Sequence, residues 1–404
     1  MSTASNSATP TQPRIAIVGG GPAGLVVLLT LHKRGIPATL YEREASSESR
    51  AHLGGMLDLE WESGQLALRE NGMEDSFRKY ARRDAQEFRV GGKDGVVLLH
   101  HDDANPDSDD LRHARPEIDR YVLREIMLNA VPKDSVKWGH ALAAIRPLDN
   151  GEHELTFTNG SIVVADMVVG ADGGNSRIRP LLSAAAPLYH GITGAEVSLA
   201  PSVAGLSDNR EISDGVGKGT CFLAEDEKLV VFQRNGTGRI RSYFLHRNAI
   251  DWSLPRDAKE AKKVLVGMFA DWAPWICRFI EQGDEDAIYV RPLLDLVVGH
   301  RWEHKAGVTI IGDAAHLMSP FAGAGANLAM QDGFELGVVL ADAVSKGLAR
   351  EEREAAVAAW EEEMFVRSEK YAAITLRNLE LFFGLGTPHT AIKAFQDEIA
   401  QGGM

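Results

Sequence analysis

Between Ile15 and Glu42 the chain has few choices of fold. Ile15 to Val18 is short, apolar and rich in β-branched residues, the pattern of a buried parallel strand. Gly19, Gly21 and Gly24 follow in the spacing G-x-G-x-x-G. The first glycine makes a tight turn, the second lets a pyrophosphate approach the backbone, and the third lets helix and strand pack closely. Leu25 to Arg34 reads as a helix whose N-terminal N–H groups and dipole favour a bound phosphate. Gly35 ends it, and Ala38 to Tyr41 is a second strand. Glu42 lies about 20 residues after the motif, where an acid can accept hydrogen bonds from a ribose. The glycine spacing alone is weak. Framed by strand, helix, strand and acid, it predicts a bound dinucleotide.

A chain of 404 residues can bury a large core and form two domains. The balance is acidic, 57 carboxylates against 43 lysines and arginines, for a net charge of -14. Such a surface does not suit a polyanion, which argues against nucleic acid. Cys221 and Cys277 have no metal-ligand spacing, so free thiols in a reduced compartment are expected, with no metal. Residues 1–13 lack an apolar core and read as a disordered tail, not a signal peptide. The longest uncharged stretch, Ile15 to Leu31, is broken by Gly19-Gly20-Gly21-Pro22, so no membrane span is expected and the protein reads as cytoplasmic.

Arg43 is either a contact for a nicotinamide phosphate or a solvated surface residue. Leu53 to Leu59 sets Gly54 and Gly55 beside apolar residues, for close approach of something flat or for a tight turn. Glu87 to Leu99 reads as a hairpin, and His100 to Arg115 as a polar loop. Asp119 is the expected N-cap of a helix with Leu123, Met127 and Val131 on one face. Arg120 in its first turn, with Arg124 one turn on, either reaches a phosphate or stays at the surface. Ser135 to Val164 holds short strands, with turns at Asp149-Asn150-Gly151 and Asn159-Gly160.

Asp166 to Gly174 is an apolar strand ending in Asp172-Gly173, followed by Ser176 and Arg177. Gly191 to Leu245 is strand-rich and reads as an antiparallel sheet inserted into the α/β unit. Asp257 to Ile280 is expected to be helical, with Val264, Met268, Trp272, Trp275 and Phe279 on its apolar side. Val308 to Gly312 is another strand, and a long helix runs to about Lys346. In the last helix, from near Glu351, Val357, Trp360, Met364, Tyr371, Ile374 and Leu381 recur at helical spacing, with Arg367 and Asn378 interrupting. The final residues show no pattern.

Three strand ends are thus punctuated by glycine or acid, at 19–24, 170–174 and 312–327. Ligands of open α/β sheets bind outside such carboxyl ends, so all three can line one cleft. Asp313 can accept from a sugar hydroxyl, Pro320 fixes the loop, and Gly323 and Gly325 allow close approach. Ala326 and Asn327 offer N–H groups at a helix start, a place for partial negative charge on a ligand. His316 in this loop reads as structural.

These segments resemble the class A flavoprotein monooxygenases, the group similar to p-hydroxybenzoate hydroxylase. The three motifs of that family fall on Gly19, Gly21, Gly24 and Glu42, on Asp172, Gly173, Ser176 and Arg177, and on Gly312 to Asn327. Within the family, Tyr41 to Glu44, Gly54 to Leu59, Pro116 to Arg120, Gly312 to Gly323 and the C-terminal helix resemble the tetracycline-inactivating monooxygenases.

The resemblance implies an α/β fold: a Rossmann-like FAD-binding domain (14–73, 107–182, 285–347) with an inserted antiparallel β-sheet substrate domain (74–106, 183–284) and a long C-terminal helix in 348–404. It implies FAD and NADPH as cofactors, O₂ as co-substrate, a monomer, and no catalytic side chain, the flavin carrying the chemistry through its hydroperoxide. The expected FAD contacts are Gly19, Gly21, Gly24, Glu42, Gly55, Met56, Asp58, Arg120, Leu123, Arg124, Asp172, Asp313, Pro320, Gly323, Gly325, Ala326 and Asn327. Arg43 lies by the nicotinamide path. The substrate is expected to be a polycyclic phenol or enol of tetracycline type, met by Gln233, Arg241, Tyr243 and Phe321. The alternatives are a general aromatic hydroxylase, an epoxidase or reductase on the same scaffold, and a non-catalytic FAD-dependent sensor. The inserted sheet departs from the tetracycline pattern, offering Gln233, Arg241, Tyr243 and His246 as its polar groups.

Overall fold

The computed structural model describes residues 12–50, 54–102, 112, 114–285 and 288–400. The tail expected at 1–13 lies outside the described residues as far as residue 11, as do Leu53 and most of the loop expected at 100–115, of which His100 and His101 instead close the strand Val97–His101.

Five parallel strands form the first sheet, in the order Val308–Ile310, Met167–Gly170, Ile15–Val18, Ala38–Tyr41, Val136–Lys137. Every residue of Ile15–Val18 and Met167–Gly170 is buried, as a strand covered on both faces requires. Val18 pairs with Gly170, and Gly170 with Ile310. Three adjacent strands therefore release the chain at the same end of the sheet.

The helix Pro22–Lys33 carries proline in its first turn, where a missing N–H costs nothing. It packs on the helix Gly325–Ser345 at backbone distance. A β-carbon on Gly333 would stand 2.5 Å from the Ala23 carbonyl oxygen, and one on Gly337 would stand 2.7 Å from the Thr30 side chain.

The inserted sheet has seven strands, in the order 289–295, 188–199, 240–247, 228–234, 220–225, 88–91, 97–101. It is antiparallel except where 220–225 meets 88–91. One face buries Phe232 and Phe244 against Phe269, Trp275 and Phe279. The other meets Phe321 and the C-terminal helix through Leu379, Phe382 and Phe383. A separate three-stranded sheet, 142–147, 153–157 and 162–165, turns at Gly151 (φ 81) and Gly160 (φ 85), as the Asn-Gly pairs predict.

Four expectations need correction. The single helix at 257–280 is two, Ala258–Met268 and Pro274–Gln282. Pro274 has no N–H to continue a helix and its ring would strike the preceding turn. Val264 is accordingly exposed, and Ala261 and Leu265 carry the packing instead. The C-terminal helix runs Arg350–Phe383, and its later buried stripe is Thr375, Asn378, Leu379 and Phe382 rather than Tyr371, Ile374 and Leu381. A last helix, His389–Ala400, follows where no pattern was visible. Asp119 stands at the N-cap of Arg120–Asn129 without capping it. Its buried carboxylate instead accepts from Asn235 Nδ2 at 2.8 Å and from the Gly236 amide at 3.2 Å, pinning a hairpin turn of the inserted sheet. Among the described residues no helix is long and apolar enough to cross a membrane.

Candidate active site at the strand ends

The glycine turn follows from sterics. Gly19 has φ 109, and a β-carbon there would strike the Ala171 carbonyl oxygen. One on Gly24 would strike the carbonyl oxygen of Gly19. One on Gly21 would meet nothing within 4 Å, so this backbone faces open space. Glu42 is buried, accepting from the Gly20 amide at 2.5 Å and the Glu44 amide at 3.0 Å. The acid assigned to a ribose thus also braces the turn. Arg124 donates to the Gly20 carbonyl at 3.1 Å and to the Ser47 carbonyl at 3.1 Å, latching its helix to the same turn.

Arg43 is exposed beside Glu44, 3.6 Å away. Arg120 is exposed too, and its amide donates to the Gly55 carbonyl at 3.2 Å. The Leu123 side chain is wholly inside the core, so it offers a ligand no surface; the helical face that marks it as apolar points inward.

At the second strand end Asp172 accepts from the Arg177 amide at 2.7 Å, while its Oδ1 is buried without a partner. Burial pushes this carboxyl above the usual carboxylate range. Arg179, not among the expected site residues, clasps the second and third loops together. Its Nε donates to the Ala314 carbonyl at 2.8 Å, and its Nη2 to Gly174 at 2.7 Å and Asp313 at 3.2 Å. Only its place three residues after Ser176 hinted at this.

At the third, the Asp313 side chain is exposed at the strand end and Pro320 is exposed in its short turn. Gly323 is left-handed (φ 63). A β-carbon on Gly325 would meet nothing within 4 Å, so this helix start also borders open space, with Ala326 half-buried beside it. Asn327, expected to offer its backbone N–H at this helix start, has a side chain that is buried and hydrogen-bonded within the protein. Its Nδ2 donates to the Asp58 carbonyl at 2.9 Å, and its Oδ1 accepts from the Glu60 amide at 2.9 Å. Asp58 itself is ion-paired with Arg115. Met56 is buried, its sulfur 3.3 Å from Arg82 Nη1. His316 is buried, with its Nε2 2.6 Å from Asp332.

The inserted sheet turns one face towards these loops. Gln233 and Arg241 are cross-strand partners, and Tyr243 lies two residues on. A β-carbon on Gly55 would overlap the Gln233 amide oxygen and stand 3.2 Å from the Tyr243 hydroxyl. The close approach that Gly55 permits is therefore to these two side chains. Arg241 is corrected: it is buried, and its charge is met by Glu196 at 2.7 Å, which also accepts from Arg291 at 3.0 Å. Burial raises the Tyr243 phenol above its ordinary value, with Glu196 adding and Arg120, Arg241 and Arg291 opposing. His246 falls on the opposite face by alternation, edge-on to Trp252 at 4.5 Å. Phe321 is buried with Phe382 at 5.8 Å and Phe383 at 6.1 Å, and Asn378 donates to its carbonyl at 3.0 Å.

Two other groupings lie elsewhere. A hollow of about 630 Å³ is lined by Asp94, Arg210, Asp214 and Trp275, on the helix-covered side of the inserted sheet. Glu87, His100 and Asp102 come together, but Arg89 already holds Glu87 at 2.9 Å and its charge opposes a cation.

The FAD binding domain family matches residues 12–360. The chain is 29% identical to monooxygenase penA of Penicillium thymicola and 29% identical to monooxygenase asqM of Emericella nidulans, in each case over 92% of this chain and 95% of the relative. Among solved structures it is similar to Klebsiella pneumoniae HpxO complexed with FAD and uric acid, with a TM-score of 0.75 and 20% identity over 96% of this chain and 93% of that one. Tetracycline destructase Tet(51) has a TM-score of 0.68 and 19% identity over 98% of both chains.

Proposed function

The chain belongs to the FAD binding domain family and is an FAD-dependent monooxygenase, and from that premise we propose that it hydroxylates a polycyclic phenol or enol with NADPH as reductant. The observation that carries the substrate class is the convergence of Gln233 and Tyr243 on Gly55. A hydroxyl and an amide meet there, and Phe321 supplies an aromatic wall on the same side of the sheet. A flat ring with one or two oxygens fits such a lining, since pockets of this kind draw affinity from apolar burial and orientation from few polar groups.

The residues fit FAD. Open backbone at Gly21 and Gly325 supports close approach at two helix starts, and the unpartnered oxygen of Asp172 supports a hydrogen-bond donor from the ligand. The N-terminus of Pro22–Lys33 suits the pyrophosphate, and that of Gly325–Ser345 suits negative charge on the ring system. Asp313 suits a sugar or ribityl hydroxyl, and exposed Arg43 the nicotinamide cofactor. When bound, FAD supplies the redox chemistry by which one atom of O₂ reaches the substrate and the other leaves as water at the expense of NADPH. The protein's own part is to hold, orient and shield. Gln233 and Tyr243 orient the substrate oxygen, Phe321 excludes water, and no side chain serves as nucleophile.

Within this class we place a tetracycline first, a reading supported by the resemblance of segments 54–59, 116–120 and 312–323 to the tetracycline-inactivating monooxygenases. The test incubates the purified yellow enzyme with NADPH, air and either tetracycline or a panel of phenols. Loss of the long-wavelength tetracycline band that needs both enzyme and NADPH, with one oxygen gained by mass, supports this reading. A stable band beside rapid turnover of a simple phenol replaces it with a general aromatic hydroxylase. Double-bond epoxidation would point to the epoxidase alternative.

A further inference from the structure

One buried side chain ties the C-terminal helix to the third loop. Asp332, on the helix Gly325–Ser345, has no exposed surface. Its Oδ2 accepts from the Gly312 amide at 3.1 Å and from His316 Nε2 at 2.6 Å. It thereby grips both ends of the turn that displays Asp313. Within that turn the amides of Ala315 and His316 donate to the Gly312 carbonyl at 2.8 and 2.9 Å. The other oxygen, Oδ1, accepts from Arg367 Nη2 at 3.0 Å. Arg367 belongs to the C-terminal helix and also holds Glu335 at 2.8 Å, which in turn accepts from Trp360 Nε1 at 3.2 Å. The residue that interrupts the apolar stripe of that helix is thus its link to the third strand end.

We propose that Arg367 is a positioning residue for the cofactor: acting through Asp332, it fixes the turn Gly312–His316 and so the place of the Asp313 carboxylate. The proposal rests on the reading that Asp313 faces FAD. With His316 protonated, charges balance along the chain of contacts, two cations (His316 and Arg367) against Asp332 and Glu335. Without Arg367 the buried Asp332 carboxylate keeps only the His316 ring and the Gly312 amide, and half of its hydrogen-bonding capacity is left in a dry interior.

The protonation of His316 gives a readout that simple helix docking lacks. The groups facing its ring are Asp332 and, beyond it, Arg367 from the two helices, and Asp313 on its own turn. His300, bonded to the Ala315 carbonyl at 2.6 Å, and Arg179, bonded to the Asp313 carbonyl, stand behind. Burial disfavours the charged ring, but Asp332 and then Asp313 outweigh it and hold His316 above its ordinary value. The charged brace is therefore present at low pH and is lost as pH rises through that raised value.

The experiment follows release of FAD from the holoenzyme by recovery of flavin fluorescence, across pH. In the wild type, release should quicken as pH rises through the His316 midpoint, a step that His304→Gln, which removes the other raised histidine facing this helix, should leave in place. Arg367→Met should speed release about tenfold or more and move the midpoint upward, because loss of a nearby positive charge lets His316 keep its proton longer. Arg367→Lys, which keeps the charge, should stay near the wild type in both. Trp360→Phe removes a bond of the same helix interface without touching Asp332, and should leave the midpoint in place. An Arg367→Met enzyme with wild-type rate and midpoint overturns the proposal, as does Trp360→Phe behaving like Arg367→Met. Asp332→Asn gives a second route: faster release with no midpoint is expected, and wild-type release again overturns the idea. If Asp313→Ala also releases FAD at the wild-type rate, the placing of FAD itself has failed.

Discussion

Gly55 and Gln233 occupy adjoining volumes so closely that a β-carbon on the first would fall on the amide oxygen of the second. The contact joins the strand Met56–Asp58, beside the third loop, to the inserted sheet. It sets how far the polar groups of that sheet reach into the cleft.

Gly55→Ala should therefore act on substrate more than on cofactor. The methyl must push Gln233 and the nearby Tyr243 hydroxyl away. We expect FAD content to stay near the wild type and the KM for the oxidised substrate to rise about tenfold, as for one lost polar anchor. Full FAD loss with unchanged KM in the residual holoenzyme would reverse the assignment.

Gly325→Val separates fold from cofactor. A β-carbon there meets no protein atom within 4 Å, so thermal unfolding of the FAD-free protein should change little. FAD retention should collapse, because the branched group enters the space beside the helix start. Asp313→Ala removes a single acceptor and should cost about 1–3 kcal/mol of FAD binding. Titration of apoprotein with FAD by fluorescence quenching measures both.

Arg241→Ala is expected to be a stability variant. It leaves buried Glu196 with Arg291 alone. Removing one member of a buried ion pair costs about 3–5 kcal/mol, and the remaining arginine should keep the loss towards the lower end. Urea unfolding reads this directly. An unchanged midpoint, with loss of substrate-stimulated NADPH oxidation alone, would restore Arg241 as a substrate ligand.

Docking of the C-terminal helix should depend on pH. Glu354 and Glu361 on that helix push His304 up to about 9. A histidine raised above its ordinary ~6.5 contributes stability that is complete below ~6.5 and is lost as pH climbs through the raised value. Wild-type Tm should fall between these limits, and His304→Gln should flatten the fall. Parallel curves for the two proteins would rule the pair out as the source.

What the sequence revealed was local. The Ile15–Val18 run, its glycine spacing and the Asn-Gly turns act within a few residues of themselves, so pattern and sterics sufficed. The inserted sheet was visible too, through alternation between turn signals. Contacts across long stretches of chain were not. Asp119 looked like a helix cap because a cap needs only the next three residues, whereas its partner Asn235 lies in another sheet. Arg367 and Asn378 looked like flaws in an apolar stripe, since nothing nearby in sequence discloses Asp332 or the Phe321 carbonyl. Arg241 looked free for the same reason. The break before Pro274 is masked by apolar residues that keep helical spacing on either side of it.

The glycine contacts between Pro22–Lys33 and Gly325–Ser345 have a metrological consequence. Each helix begins at a strand-end loop, and two glycine contacts, one on the Ala23 backbone and one on the Thr30 side chain, fix their separation. The pair works as a caliper with a hard stop: its opening is set by Gly333 against Ala23 and Gly337 against Thr30. Residues on the outer faces can drift without changing the gauge. A single methyl at either stop would widen it, and every ligand spanning both helix starts would then be measured against the wrong length.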